Sequence, residues 1–159
     1  MIAYLGSQVV NGTNHAVLAE QTVLTGRDSK NIVILVFNEK PNEKEATLVS
    51  IDRILEGGLP LGGTNIDVKV NEDIPEDIME IWTDACHHCL GSRMIPVALL
   101  GTKITNGTNY IFIATVDAQI PGSEVELALI TVNDSTRRMS FVDLLADKTD
   151  HALGYAFNW

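Results

Sequence analysis

Apolar residues in this chain gather in short runs bounded by Gly, Asn, Asp and Pro, the pattern of strands joined by turns. Runs at 2–10, 16–24, 32–37 and 46–55 predict four antiparallel strands. Turns are expected at Asn11-Gly12, over 25–29 and in a polar tip around Pro41. Asn11 and Gly12 both tolerate the positive φ of a tight hairpin. The third run, Ile32-Val33-Ile34-Leu35-Val36-Phe37, is apolar throughout. Alternation puts Ile32, Ile34 and Val36 on one face and Val33, Leu35 and Phe37 on the other. A half-exposed antiparallel strand alternates apolar with polar, so this strand is predicted to be covered on both sides.

Residues 56–75 read as a connector, broken by Gly57-Gly58, Pro60 and Gly62-Gly63. Within it, Ile66-Asp67-Val68-Lys69-Val70 alternates like a short strand. One helix is predicted, over 75–90. Pro75 suits its first turn, and Glu76, Asp77 and Glu80 set negative charge at the positive end of its dipole. Ile78, Trp82, Ala85 and Cys89 form one apolar stripe, and Gly91 supplies a stop.

Four further runs, at 94–103, 110–116, 125–132 and 139–145, repeat the opening strand order. The repeat is positional as well as chemical. Ala3, Leu5, Gly6, Asn11, Gly12, Thr13, Asn14 and Ala19 recur 95 positions on as Ala98, Leu100, Gly101, Asn106, Gly107, Thr108, Asn109 and Ala114. Asn38 maps to Asn133 at the same offset; past the hairpin tip the offset falls to 90, pairing Ser50 with Ser140 and Leu55 with Leu145. An internal duplication is the expectation, with repeat 1 at 1–55, the connector at 56–75, repeat 2 at 76–145 and an aromatic-ended tail at 146–159.

Gln8-Val9-Val10-Asn11-Gly12, set between two strands, resembles the Gln-x-Val-x-Gly loop of the cystatin family of cysteine-protease inhibitors. Helix, strand, loop and three further strands follow the cystatin order from Glu76 to Leu145. The phrase Pro96-Val97-Ala98-Leu99-Leu100-Gly101-Thr102 running into Asn106-Gly107-Thr108-Asn109-Tyr110 is similar to small cystatin-like proteins of bacterial origin. The resemblance implies an α+β fold of two cystatin-like four-stranded antiparallel meanders, with one helix preceding the second repeat. It also implies a partner-binding loop at Gln8, Val9, Val10, Asn11 and Gly12, whose family target is a papain-like cysteine protease. The second copy departs from the motif, with Lys103 for Gln and Thr105 for Val. Neither hairpin tip carries the Pro-Trp pair of the family inhibitors.

Composition narrows the classes. Lys and Arg number 11 against 21 Asp and Glu, a formal charge of −10. Phosphate neutralisation needs clustered basic groups, so this balance argues against a nucleic-acid partner. No apolar run approaches the ~20 residues of a membrane span, and the N-terminus lacks the pattern of a signal peptide. A cytoplasmic protein with no membrane partner is expected.

Cys86-His87-His88-Cys89 is the one cluster with ligand or redox chemistry in its residue types. Its place at the C-terminal end of the helix forgoes the dipole that lowers a thiol pKa. Helical geometry turns His87 away from Cys89, so His88 or a distant group such as His151 would have to join Cys86 and Cys89 to hold a metal. The expected state is buried free thiols, with no metal and no cofactor. No Ser/His/Asp or paired-carboxylate spacing stands out. The chain is therefore read as a non-enzymatic interaction or assembly protein, with cysteine-protease inhibition as the alternative. Because one helix cannot cover two such sheets on both faces, a homo-oligomer is also expected.

Overall fold

The computed structural model describes residues 1–24, 28–58, 63–122 and 125–143. It contains two antiparallel sheets, of four and five strands, and a single α-helix. Two compact units divide the chain, one covering Met1–Gly57 and the other beginning at Gly58. The expected tail, Leu145 and the candidate ligand His151 lie outside the described residues. No helix among the described residues is long and apolar enough to cross a membrane.

In the first unit, β1 (Ala3–Val10), β2 (Gly12–Leu24), β3 (Asp28–Glu39) and β4 (Thr47–Glu56) form a meander in chain order. Each predicted run is present; β1 and β4 lie within a residue of it, while β2 and β3 are longer because their mutual ladder carries pairing into the polar flanks. The face holding Ala16, Leu18, Ile32, Ile34 and Val36 is buried along its length. On the opposite face Val17, Ala19 and Val33 are buried, but Leu35 and Phe37 are only partly so. The expectation of two-sided cover thus holds for one end of β3 and lapses at the other.

The second unit is built of β5 (Thr64–Val70), β6 (Arg93–Thr105), β7 (Gly107–Asp117), β8 (Glu126–Asn133) and β9 (Met139–Asp143), again in chain order. Its sheet is five-stranded rather than four-stranded, because the alternating segment of the connector pairs with β6 as an edge strand. Gly101 permits the approach, since a Cβ there would collide with the Asn65 carbonyl of β5.

Helix α1 (Glu76–Cys86) ends four residues before the predicted Leu90. After Cys86 the bonds tighten to a three-residue span, His88 N–H to Ala85 O (3.3 Å) and Cys89 N–H to Cys86 O (2.9 Å). That turn sets Cys89 Sγ 3.6 Å from Met139 Sδ, and Gly91 follows at φ +86°. Within the helix the stripe lies as expected: Trp82 and Ala85 are buried, with Ile78 packed beside them. Together with Ile74 they cover Leu99, Phe112, Ala114, Ala128, Ile130 and Val132 on one face of the second sheet. The Trp82 and Phe112 rings meet at 4.8 Å with their planes at 57°, a tilted aromatic pair.

The two sheets share details at the offset of 95. Pairing slips by one residue between Tyr4 and Gly6 in β1 and between Leu99 and Gly101 in β6. Asn38 Nδ2 donates to Asn14 Oδ1 at 2.8 Å, and Asn133 Nδ2 donates to Asn109 Oδ1 at 2.8 Å.

Trp82 is the one large side chain of α1 that is buried, with Ile78, Met79 and Ile81 partly buried around it. Removing a buried Trp is worth about 3–5 kcal/mol. Trp82→Ala is expected to lower unfolding free energy by that amount in guanidinium titration; a loss below about 1 kcal/mol would mean that the helix is held elsewhere.

Candidate protein-binding surface

The loop resembling the cystatin motif is the sharp end of the β1–β2 hairpin. Val10 pairs with Gly12, leaving Asn11 alone at the tip. Only Gly12 has positive φ, at +105°; Asn11 does not, so glycine alone supplies the backbone geometry expected of both. A Cβ on Gly12 would stand 2.6 Å from Glu39 O and 2.9 Å from Asn38 Oδ1, so the turn is seated against the end of β3.

Strand alternation separates the five candidate residues. Gln8 pairs with Asn14, which pairs with Asn38, which pairs with Thr47, making one polar row across all four strands. Asn14 is buried, and Gln8 Oε1 is buried without a hydrogen-bond partner. Gln8 is therefore committed to the row and not to the surface. Val9 points to the other face and is 84% exposed; Val10 and Asn11 are exposed at the tip.

Beside Val9 lies a surface that strand-by-strand reading of the sequence did not assemble. Ser7, His15, Phe37 and Leu48 stand opposite one another across the sheet, and Tyr4, Val17, Leu35 and Ile51 form the next row. Tyr4 (54%), Leu48 (55%) and Ile51 (50%) are open to solvent. His15 stacks on Phe37 with centroids 5.2 Å apart and planes at 25°. The Tyr4 hydroxyl lies 3.0 Å from His15 Nδ1. His15 Nε2 lies 3.3 Å from Glu39 Oε2 without hydrogen-bond alignment. Ordered neighbours thus hold an aromatic and aliphatic shelf in place, with a carboxylate at its rim. Leu48 and Ile51 join the face of Leu35 and Phe37 only through the slip between Val36 and Phe37, which the sequence does not announce.

The second hairpin is locked rather than presented. Asp134 accepts from Thr108 N–H at 2.9 Å and from the Ser135 hydroxyl at 2.9 Å, and these bonds hold its carboxyl below the usual carboxylate range. Asn133 Oδ1 takes the backbone N–H groups of Ser135 and Thr136 at 3.1 and 3.0 Å. Arg137 donates to the Asp134 carbonyl and sits 3.4 Å from Asp84 of α1, tying helix to turn. Beside this turn, Thr105, Asn109, Thr131, Asn133 and Ser140 line an open depression of about 470 Å³.

The cysteine cluster is not drawn together as a ligand set. Among the described residues, no group of three or more His, Cys, Asp and Glu is placed to hold a metal ion. His87 and His88 are exposed, while both thiols are half-buried and unbonded to each other. Burial, and secondarily the neighbouring Cys89, push the Cys86 thiol up to about 11. A thiol so shifted is a poor nucleophile and a poor metal ligand near neutrality.

Comparisons with protein-family models, with curated proteins and with solved structures return no match to this chain.

Asp134→Asn should destabilise the protein at neutral pH. A carboxyl held below its ordinary value stabilises the fold above that value and loses the contribution as pH falls through the folded value. The gap between the variant and its parent in urea midpoint is therefore expected to be steady above about pH 5 and to narrow as pH falls below the ordinary aspartate value; a gap independent of pH would contradict the assignment. For Cys86, the rate of alkylation by iodoacetamide, followed by peptide mass spectrometry, should climb roughly tenfold per pH unit past the ordinary thiol range. A plateau near the usual 9.0 would show an unperturbed thiol.

Proposed function

We propose that this chain is a non-enzymatic protein-interaction protein, built on two copies of one cystatin-like four-stranded unit. Its contact surface in this reading is the shelf of the first unit together with the adjoining hairpin tip. One observation carries the proposal: Tyr4 and Val9 on β1 and Leu48 and Ile51 on β4, the two edge strands of the four, expose large apolar groups on one face, joined across it by the partly exposed Leu35 and Phe37. Scattered surface hydrophobes are ordinary, but a contiguous patch rimmed by polar groups is characteristic of a protein contact. Tyr is among the residues enriched at such interfaces. The repeated slip at Gly6 and Gly101 and the repeated Asn–Asn bond support the two-copy reading. The net charge of −10 favours a basic partner.

The second reading is inhibition of a papain-like cysteine protease by the Gln8–Gly12 loop. The exposure of Val9 at a rigid tip favours it, because a wedge must present side chains and backbone together. Substituting Gly12 cannot test this, since any side chain there strains the turn itself.

Two variants separate the readings. In quantitative capture from the native cell lysate, Leu48→Glu/Ile51→Glu is expected to lose the proteins held by the parent, whereas Val9→Glu retains most of them. Identical capture by parent and double variant would end the shelf reading. In titration against papain, inhibition abolished by Val9→Glu and indifferent to the double variant would establish the second reading instead.

A further inference from the structure

The second sheet contains its own demonstration of what the first sheet's shelf accepts. At the offset of 95, Tyr4, His15, Val17, Leu35 and Phe37 correspond to Leu99, Tyr110, Phe112, Ile130 and Val132. The pairings agree as well: Tyr4 faces Val17 as Leu99 faces Phe112, and Val17 faces Leu35 as Phe112 faces Ile130. Leu48 opposite Phe37 takes the place of Met139 opposite Val132. In the second unit this face lies under α1, where Leu99, Ile130 and Val132 are buried and Tyr110 and Met139 are packed against the same cluster. In the first unit Leu35 and Phe37 are only half-buried, and Tyr4 is more than half exposed where Leu99 shows 4%. α1 is the only α-helix among the described residues.

The geometry points to the open end of the first sheet's shelf, around Tyr4, Phe37, Leu48 and Ile51, as a docking site for an amphipathic helix from another protein; the counterparts of Phe112, Ala114 and Ala128, namely Val17, Ala19 and Val33, are already buried. This rests on the interaction function proposed above and names the partner's chemistry. The helix presents an apolar stripe spaced as Ile78, Trp82 and Ala85 are in α1. Its flanks are basic. Where the second unit has Asp134 tied up by its own turn, the first has Glu39, at the corresponding position, 66% exposed and facing the shelf beside His15. An exposed carboxylate at the rim of an apolar platform, on a chain of charge −10, selects Lys or Arg beside the stripe.

The probe is a fluorescein-labelled, end-capped peptide of residues 75–88 carrying Asp77→Lys, Glu80→Lys, Asp84→Lys and Cys86→Ser. It keeps the stripe, gains a helix pair between Glu76 and the new Lys at 80, and sets the new Lys at 77 and 84 along one side of the stripe, the side on which Asp77 and Asp84 of α1 lie toward Tyr110 and Arg137. Anisotropy against the intact protein should rise saturably, and a peptide with Trp82→Glu should not bind. Leu48→Glu/Ile51→Glu and, separately, Tyr4→Gln should each weaken binding about tenfold or more with circular dichroism unchanged. Glu39→Gln should weaken it less and remove most of its salt dependence. Failure of the probe to bind, or binding undiminished in the folded shelf variants, overturns the inference. So does light scattering in which shelf variants convert a dimer of this chain to monomer, because the occupant is then a second copy. Lysate capture that stays shelf-dependent while the probe fails sinks the helix and spares the interaction reading; capture indifferent to the shelf sinks both.

Discussion

A β-sheet has two faces, and strands that are apolar on both must be covered twice. Everything distinctive about this chain follows from how unevenly that demand is met. Burial of an apolar side chain is worth about 25 cal/mol per Å², so a half-open face is a standing gradient toward whatever can close it. In the second unit α1 closes one face with Trp82 and Ala85 seated over Phe112 and its neighbours. In the first unit the corresponding face is buried at Val17, Ala19 and Val33 and open from Leu35 and Phe37 outward. The open half is also the half nearest the β1–β2 tip, so exposed apolar surface and exposed turn form one region.

Polar chemistry in the two units fixes geometry without tying up that region. The Asn14–Asn38 bond and the row running from Gln8 to Thr47 occupy the face opposite the shelf. They register the hairpin against β3 and leave Val9 and Tyr4 free to point the other way. In the second unit the same Asn–Asn bond is joined by Asp134, Ser135 and Arg137, which bind the turn to itself and to Asp84. Equivalent positions thus serve a presented tip in one unit and a fastened tip in the other.

Much of this was legible in the residues. Runs such as Ile32 to Phe37 mark strands because apolar stretches bounded by turn formers have few other outcomes, and the stripe of α1 announced its buried face. Helix length was misjudged because Gly91 looked like the stop, whereas the contact of Cys89 with Met139, fifty residues away, decides where the chain turns. Tertiary packing of that kind has no local signature. The alternating segment at 66–70 gave away its conformation but not its neighbour, since pairing with β6 depends on the missing Cβ of Gly101. The candidate loop was found through its sequence pattern, but Gln8 turned inward and only Val9 to Asn11 face out. The shelf was illegible for a plainer reason: alternation says which side chains share a face, and nothing in it says whether the face is covered.

The slip between Tyr4 and Gly6 divides β1 into two segments of opposite phase. Tyr4, an even-numbered residue, therefore shares a face with odd-numbered Ser7 and Val9. The outer segment carries the tip and the inner one carries the aromatic anchor, and the extra residue absorbed between them uncouples their alternation. Loss of Leu5 would restore a regular ladder with Gly6 still opposite Ala16 and Tyr4 still opposite Val17, so the anchor would keep its face and the hairpin its tip. Insertion of a residue nearer the tip would exchange Val9 for its neighbours without disturbing Tyr4. A strand built this way can vary its presented end and its platform separately, much as two words on a line can be edited without shifting each other's letters.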